Sequence, residues 1–110
     1  MKLPEMPFTA LDWSVIEPVE VPGATGTSYW RSFEVGDLRV RIVDYGPKFT
    51  SDHWCDRGHV LHVLSGVLGL RLKGGREITL ASGEGFCVSD HGDAAHLVFT
   101  EDGCRAFIVD

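Results

Sequence analysis

The chain has 110 residues, a length that implies one domain able to bury about two thirds of its unfolded surface. Sixteen acidic against ten basic residues give a net charge of −6, and no run of like charge is long, which argues against nucleic acid or an anionic membrane as a partner. No apolar stretch approaches the ~20 residues that span a bilayer, the N-terminus lacks an apolar signal core, and three cysteines without paired spacing favour a reduced, cytoplasmic protein.

Residues 1–26 are loosely patterned. Pro4, Pro7, Pro18 and Pro22 each remove a backbone donor and discourage helix. An extended arm is expected here, lying on the rest of the chain or on a partner subunit, because leaving Phe8, Leu11, Trp13 and Ile16 all in water is costly. From Thr27 the period becomes two. Tyr29, Arg31 and Phe33 alternate with Trp30, Ser32 and Glu34, and Gly36-Asp37 makes a turn. Leu38, Val40 and Ile42 then share one face and Arg39 and Arg41 the other, which reads as a half-buried strand with solvated arginines.

After Gly46-Pro47-Lys48, an apolar run from His59 to Leu64 reads as a strand ending at Ser65-Gly66. A second runs from Val67 to Lys73, with Leu68, Leu70 and Leu72 inward. Gly74-Gly75 is a hairpin signal, and Arg76 to Leu80 returns. Phe86-Cys87-Val88, His96 to Thr100 and Cys104 to Val109 complete the pattern. About eight short strands spaced by roughly 8–12 residues, with no helix, imply an all-β sandwich or barrel formed by residues 27–110.

Metal-ligating side chains gather in Asp52 to Gly66, DHWCDRGHVLHVLSG. His53 and Cys55 are two apart and share a face if the chain is extended. His59 opens the next strand, and His96 opens another far along the chain. These four are the candidate metal ligands. Imidazole and thiolate suit Fe²⁺ or Zn²⁺, and also Ni²⁺ or Cu, and disfavour Mg²⁺ and Ca²⁺. Cys87 and Cys104, among apolar strand residues, read as small core hydrophobes. His62 has the opposite strand parity from His59 and should point outward. Asp52 and Asp56 are candidates to orient the histidines, and Trp54 should face away from Cys55 into the core or a dimer contact. No Cys-x-x-Cys occurs, which removes zinc-finger and dithiol-redox readings.

The same residues resemble the cupin superfamily, small double-stranded β-helix (jelly-roll) barrels. The family's first motif runs Gly, His-x-His, Glu, Gly. Here Gly46 leads to His53-Trp54-Cys55, then to His59 at the Glu place, then after six residues to Gly66. In the second motif Gly83 fits the start, Ser89 stands for Pro, His91 for Gly, and His96 follows two residues late. Asp52-His53-Trp54-Cys55 is also similar to the motif of the short bacterial Asp-His-Cys-Trp cupins. The resemblance implies a metal-dependent enzyme, dioxygenase-like, acting on a small organic substrate held in the barrel of a homodimer. A non-enzymatic small-molecule or metal-binding module and thiol chemistry at Cys55 are the alternatives.

Overall fold

The computed structural model describes residues 3–110. Nine antiparallel strands follow one short 3-10 turn over Trp13–Val15, in which the Ser14 N–H donates to the Asp12 carboxylate. The strands are β1 (Val19–Pro22), β2 (Thr27–Val35), β3 (Leu38–Tyr45), β4 (Phe49–Thr50), β5 (His59–Leu72), β6 (Glu77–Ala81), β7 (Gly85–Val88), β8 (His96–Thr100) and β9 (Cys104–Val109). One layer runs β1-β2-β3-β9-β5-β7 and the other β6-β5-β8-β4, so β5 belongs to both. The sheet thereby curls on itself into a jelly-roll barrel.

The two strands expected at 59–64 and 67–73 are one continuous β5. A bulge in its pairing with β9, between Val63 and Ser65, lets the strand turn from one layer into the other. Gly66 completes that corner at φ +80°, and a Cβ there would run into the Gly103 carbonyl. Ser65-Gly66 therefore bends a strand where its composition predicts an end.

The core is the inner face of both layers: Val43, Leu61, Val63, Leu68, Leu70, Leu80, Val98, Cys104, Ala106 and Ile108. Burying a side chain such as Leu68 contributes roughly 1.5–3 kcal/mol. Within the stretch expected to be an arm, Val19–Pro22 adds β1 to the edge of β2, and Trp13 packs edge-on against Phe107. Phe8, by contrast, is 98% exposed.

The face assignment of β3 is corrected. Register places Arg39, Arg41 and Val43 opposite Asp110, Ile108 and Ala106 on the inner face. Arg41 is only 4% exposed. Leu38 and Ile42 on the other face are buried as well. When both faces of a strand are covered, alternation no longer says which is inside. Cys104 is buried as expected, whereas Cys87 is exposed, opposite Val60 on the outer face. Trp54 is exposed too, with the Lys73 ammonium 5.7 Å above its ring. No helix among the described residues is long and apolar enough to cross a membrane.

Candidate metal centre

His59 is the first residue of β5 and His96 the first of β8, and both side chains are buried on the inner face. Cys55 lies in the segment between β4 and β5. It is tied to His96 by reciprocal backbone hydrogen bonds, Cys55 N to His96 O at 2.7 Å and His96 N to Cys55 O at 2.8 Å. Directly opposed residues of an antiparallel bridge project to one side, so this pairing sets Cys55 beside His96. One ligand atom from each of Cys55, His59 and His96 lies within 4.8 Å of the others. Cys55 Sγ is 3.4 Å from His59 Nε2. A thiolate and an imidazole bound to one tetrahedral ion stand about 3.5 Å apart, given metal bonds of about 2.3 and 2.0 Å. The three residues therefore fit a transition ion in both donor chemistry and separation.

His53 is outside this group. The chain bends at Asp52-His53 instead of running extended, and the imidazole is 76% exposed. Its Nδ1 sits 2.7 Å from Asp52 Oδ1. It still reaches the rim of the cavity that holds the other three. Asp56 contacts His91 rather than the cluster, and His62 is exposed on the outer face, as its parity predicts.

The residue that composition did not single out is Asp110. Its side chain is fully buried and touches His59, Arg39 and Arg41. Arg39 donates through Nε and one terminal nitrogen, at 3.1 and 2.8 Å, and Arg41 donates at 3.2 Å. His59 Nδ1 approaches Oδ2 to 3.0 Å, an ion-pair distance at which the N–H still lacks a well-aligned acceptor. Burial pushes the Asp110 carboxyl up, but contact with His59, the Arg39 hydrogen bonds and the charges of Arg41 and Arg39 outweigh it, holding it well below the usual carboxylate range. The carboxylate thus lies behind His59 while Nε2 faces Cys55, an arrangement that orients metal-binding histidines. Its only advance signal was an acid at the inward parity of β9. Burial, then the charge of His59, pulls His96 down, which favours the neutral imidazole a metal requires.

Cys55, His59 and His96 line a cavity of about 120 Å³, together with Trp30, Arg39, Arg41, Tyr45 and Phe86. That is small beside the ~300–1,000 Å³ of sites for drug-sized molecules. Phe86 packs edge-on against His96 and His59, with ring centroids 5.6 and 6.5 Å away, an apolar wall beside the two imidazoles. A larger recess of about 770 Å³ lies along Asp37, Asp56, Arg57 and His91, and reaches Asp110 but none of the three cluster residues.

No family model matches the chain, and no curated protein matches it by sequence. Solved structures do match. The polyketide cyclase RemF from Streptomyces resistomycificus superposes with a TM-score of 0.71 at 20% identity, covering 93% of this chain and 78% of that one. A sugar phosphate isomerase of the cupin superfamily from Silicibacter pomeroyi gives 0.71 at 17% identity, covering 92% and 74%. A cupin-2 domain protein from Shewanella frigidimarina gives 0.59 at 21% identity, covering 74% and 78%. With its curled antiparallel sheet and inward-facing Cys/His/His group, the chain has the fold of a small cupin barrel.

Proposed function

We propose that the chain is a metal-dependent enzyme in which Cys55, His59 and His96 hold one divalent transition ion beside a cavity for a small organic substrate. The observation that carries this reading is the convergence of the three ligating atoms within 4.8 Å at the cavity wall. Three protein ligands leave an ion at least one open coordination position, the hallmark of a catalytic rather than a structural site. His53 is assigned to the rim and not to the ligand set. A bound Fe²⁺ or Zn²⁺ ion supplies Lewis acidity, and iron adds O₂ activation.

The protein's own groups then have separate tasks. Asp110 fixes the His59 ring, and Phe86 shields the imidazoles from water. Tyr45, whose hydroxyl burial pushes up to about 12, stays protonated and serves as a donor, not a base. Dioxygenation is the leading reaction class, from the resemblance to histidine-rich iron cupins. The cyclase and isomerase among the structural neighbours keep non-oxidative chemistry in view. A homodimer in the cytoplasm is part of the proposal. Exposed Phe8, with Val60 and Leu64 on the outer sheet face, supports the dimer, and light scattering at the monomer mass of 12.1 kDa would remove it.

Elemental analysis of untagged protein tests the centre. About one equivalent of transition metal is expected in wild type and in His53→Ala, and its loss in Cys55→Ser, His59→Ala and His96→Ala. No metal after anaerobic, reducing reloading overturns the reading and leaves a metal-free binding module. A second reading rests on the line Cys55–His59–Asp110, in which a thiol faces an imidazole backed by a carboxylate, the arrangement of an activated nucleophile. Rapid alkylation of Cys55 in metal-loaded protein would favour it, and full protection would remove it.

A further inference from the structure

We infer that a second cavity, next to the metal centre, takes a compact, uncharged hydrocarbon group of up to about six carbons, an inference that rests on the proposed function only in reading that group as one arm of the substrate.

The topology leaves the space. β7 pairs with β5 along His59–His62 and β6 pairs with it along Val67–Arg71. The two lie in different layers, and neither pairs with another strand among the described residues. Opposed residues of an antiparallel pair project to one side. Ile78 therefore follows Leu70 into the interior, and Phe86 and Val88 follow Leu61 and His59. Leu70 is only 3% exposed, yet Ile78 opposite it is 40% exposed. An inward-facing isoleucine that stays open fronts a space no described residue fills. That space is a cavity of about 140 Å³, walled by Leu70, Leu72, Ile78, Phe86 and Val88.

Size and charge say what fits. An apolar cavity of ~150 Å³ lined by Leu, Ile and Phe stays dry and accepts benzene. The two charged residues in the wall, Arg76 and Asp93, bond to each other, so neither is left to recruit a charged ligand group. The space is also too small for a strand of a second copy, and Val60 and Leu64, which support the dimer, lie on the other face of β5. Position ties the cavity to the metal centre. It shares Phe86 and His96 with the cavity of about 120 Å³, and these two rings pack edge-on, 5.6 Å between centroids. A hydrocarbon group seated here lies against His96, one of the three proposed ligands, as the arm of a metal-bound substrate would.

Protein with ¹³C-labelled Ile, Leu and Val methyl groups should be titrated with benzene and cyclohexane, with and without Zn²⁺, beside 1,4-dioxane as a polar ring of similar size. Saturable shifts are expected at the Leu70, Leu72 and Ile78 methyls and at the His96 ring. Dioxane should bind at least about tenfold more weakly, because its oxygens give up water for hydrocarbon walls. Ala94→Leu, which adds bulk to a residue of the same wall, should lose a similar factor, and Val60→Ala on the outer face should lose none. No saturable binding, dioxane binding as well as the hydrocarbons, or binding that leaves the His96 ring unmoved overturns the inference. So do shifts centred on Val60 and Leu64, or affinity that falls as protein concentration rises, the sign that a second copy occupies the space. The wild-type titration decides even if Ala94→Leu fails to fold. Metal content is measured separately, so an absent metal sinks the enzyme reading alone, and absent hydrocarbon binding sinks this inference alone.

Discussion

Replacing Asp110 with Asn separates two effects of one side chain. The carboxylate is fully buried and is the shared acceptor of Arg39 and Arg41. Removing one member of a buried charge pair costs about 3–5 kcal/mol, because the other charge stays buried and unpaired. The lower end, about 3 kcal/mol, is expected here, since Arg39 is partly exposed and Asn keeps one acceptor oxygen. With a urea slope of about 1–3 kcal/mol/M, the unfolding midpoint should fall by about 1–3 M. The acid limb carries a second signature. The Asp110 carboxyl is held below its ordinary value of 3.8, so its contribution is fully present above about pH 4 and fades as pH falls through the folded-state value. Wild-type and Asp110→Asn stabilities should therefore converge in acid. Replacing the pair together, Arg41→Met with Asp110→Asn, should cost less than the two single changes summed. Chelator competition should show metal affinity about 10–100-fold weaker in Asp110→Asn, through the loosened His59 ring. A stability loss under about 1 kcal/mol, or pH curves that stay parallel, would refute the account of Asp110 as a buried anchor.

Other expectations follow from single features. Gly66→Val should lower stability by more than the ~1–2 kcal/mol of a left-handed backbone, because its side chain also meets the Gly103 carbonyl; a thermal melt within a degree or two of wild type would contradict the corner geometry. Leu68→Ala, at a wholly buried site where both layers meet, should cost about 2–5 kcal/mol in denaturant unfolding. Timed alkylation with mass spectrometry should label exposed Cys87 first. It should spare Cys104, whose thiol burial pushes up to about 11, and should reach Cys55 only after metal is removed.

The candidate metal-ligating residue types and most of the strands were legible because both depend on local chemistry. Alternation over Leu68-Leu70-Leu72 needs one wet and one dry face, and these three are buried together. Histidines at strand starts stay within reach of a barrel interior, and His59 and His96 do meet there. Cys55 joins them through a backbone pairing with His96, 41 residues along the chain, a distance over which spacing says nothing. His53 shows the limit of the same argument, since two-residue parity holds only while the chain is extended, and a bend at Asp52-His53 ends it.

Sequence alone determined most of the period-two strands, most of the turns between them and the supply of candidate nitrogen and sulfur ligands, because each is set by neighbours within a few residues. Tertiary structure alone decided which face of β3 is inside, that β5 turns a corner instead of stopping, and that Asp110 stands behind His59. Arginines belong inside only where a carboxylate 69 and 71 residues distant meets them. That meeting is fixed by how the sheet curls, and the cost of burying charge depends on the partner it finds there.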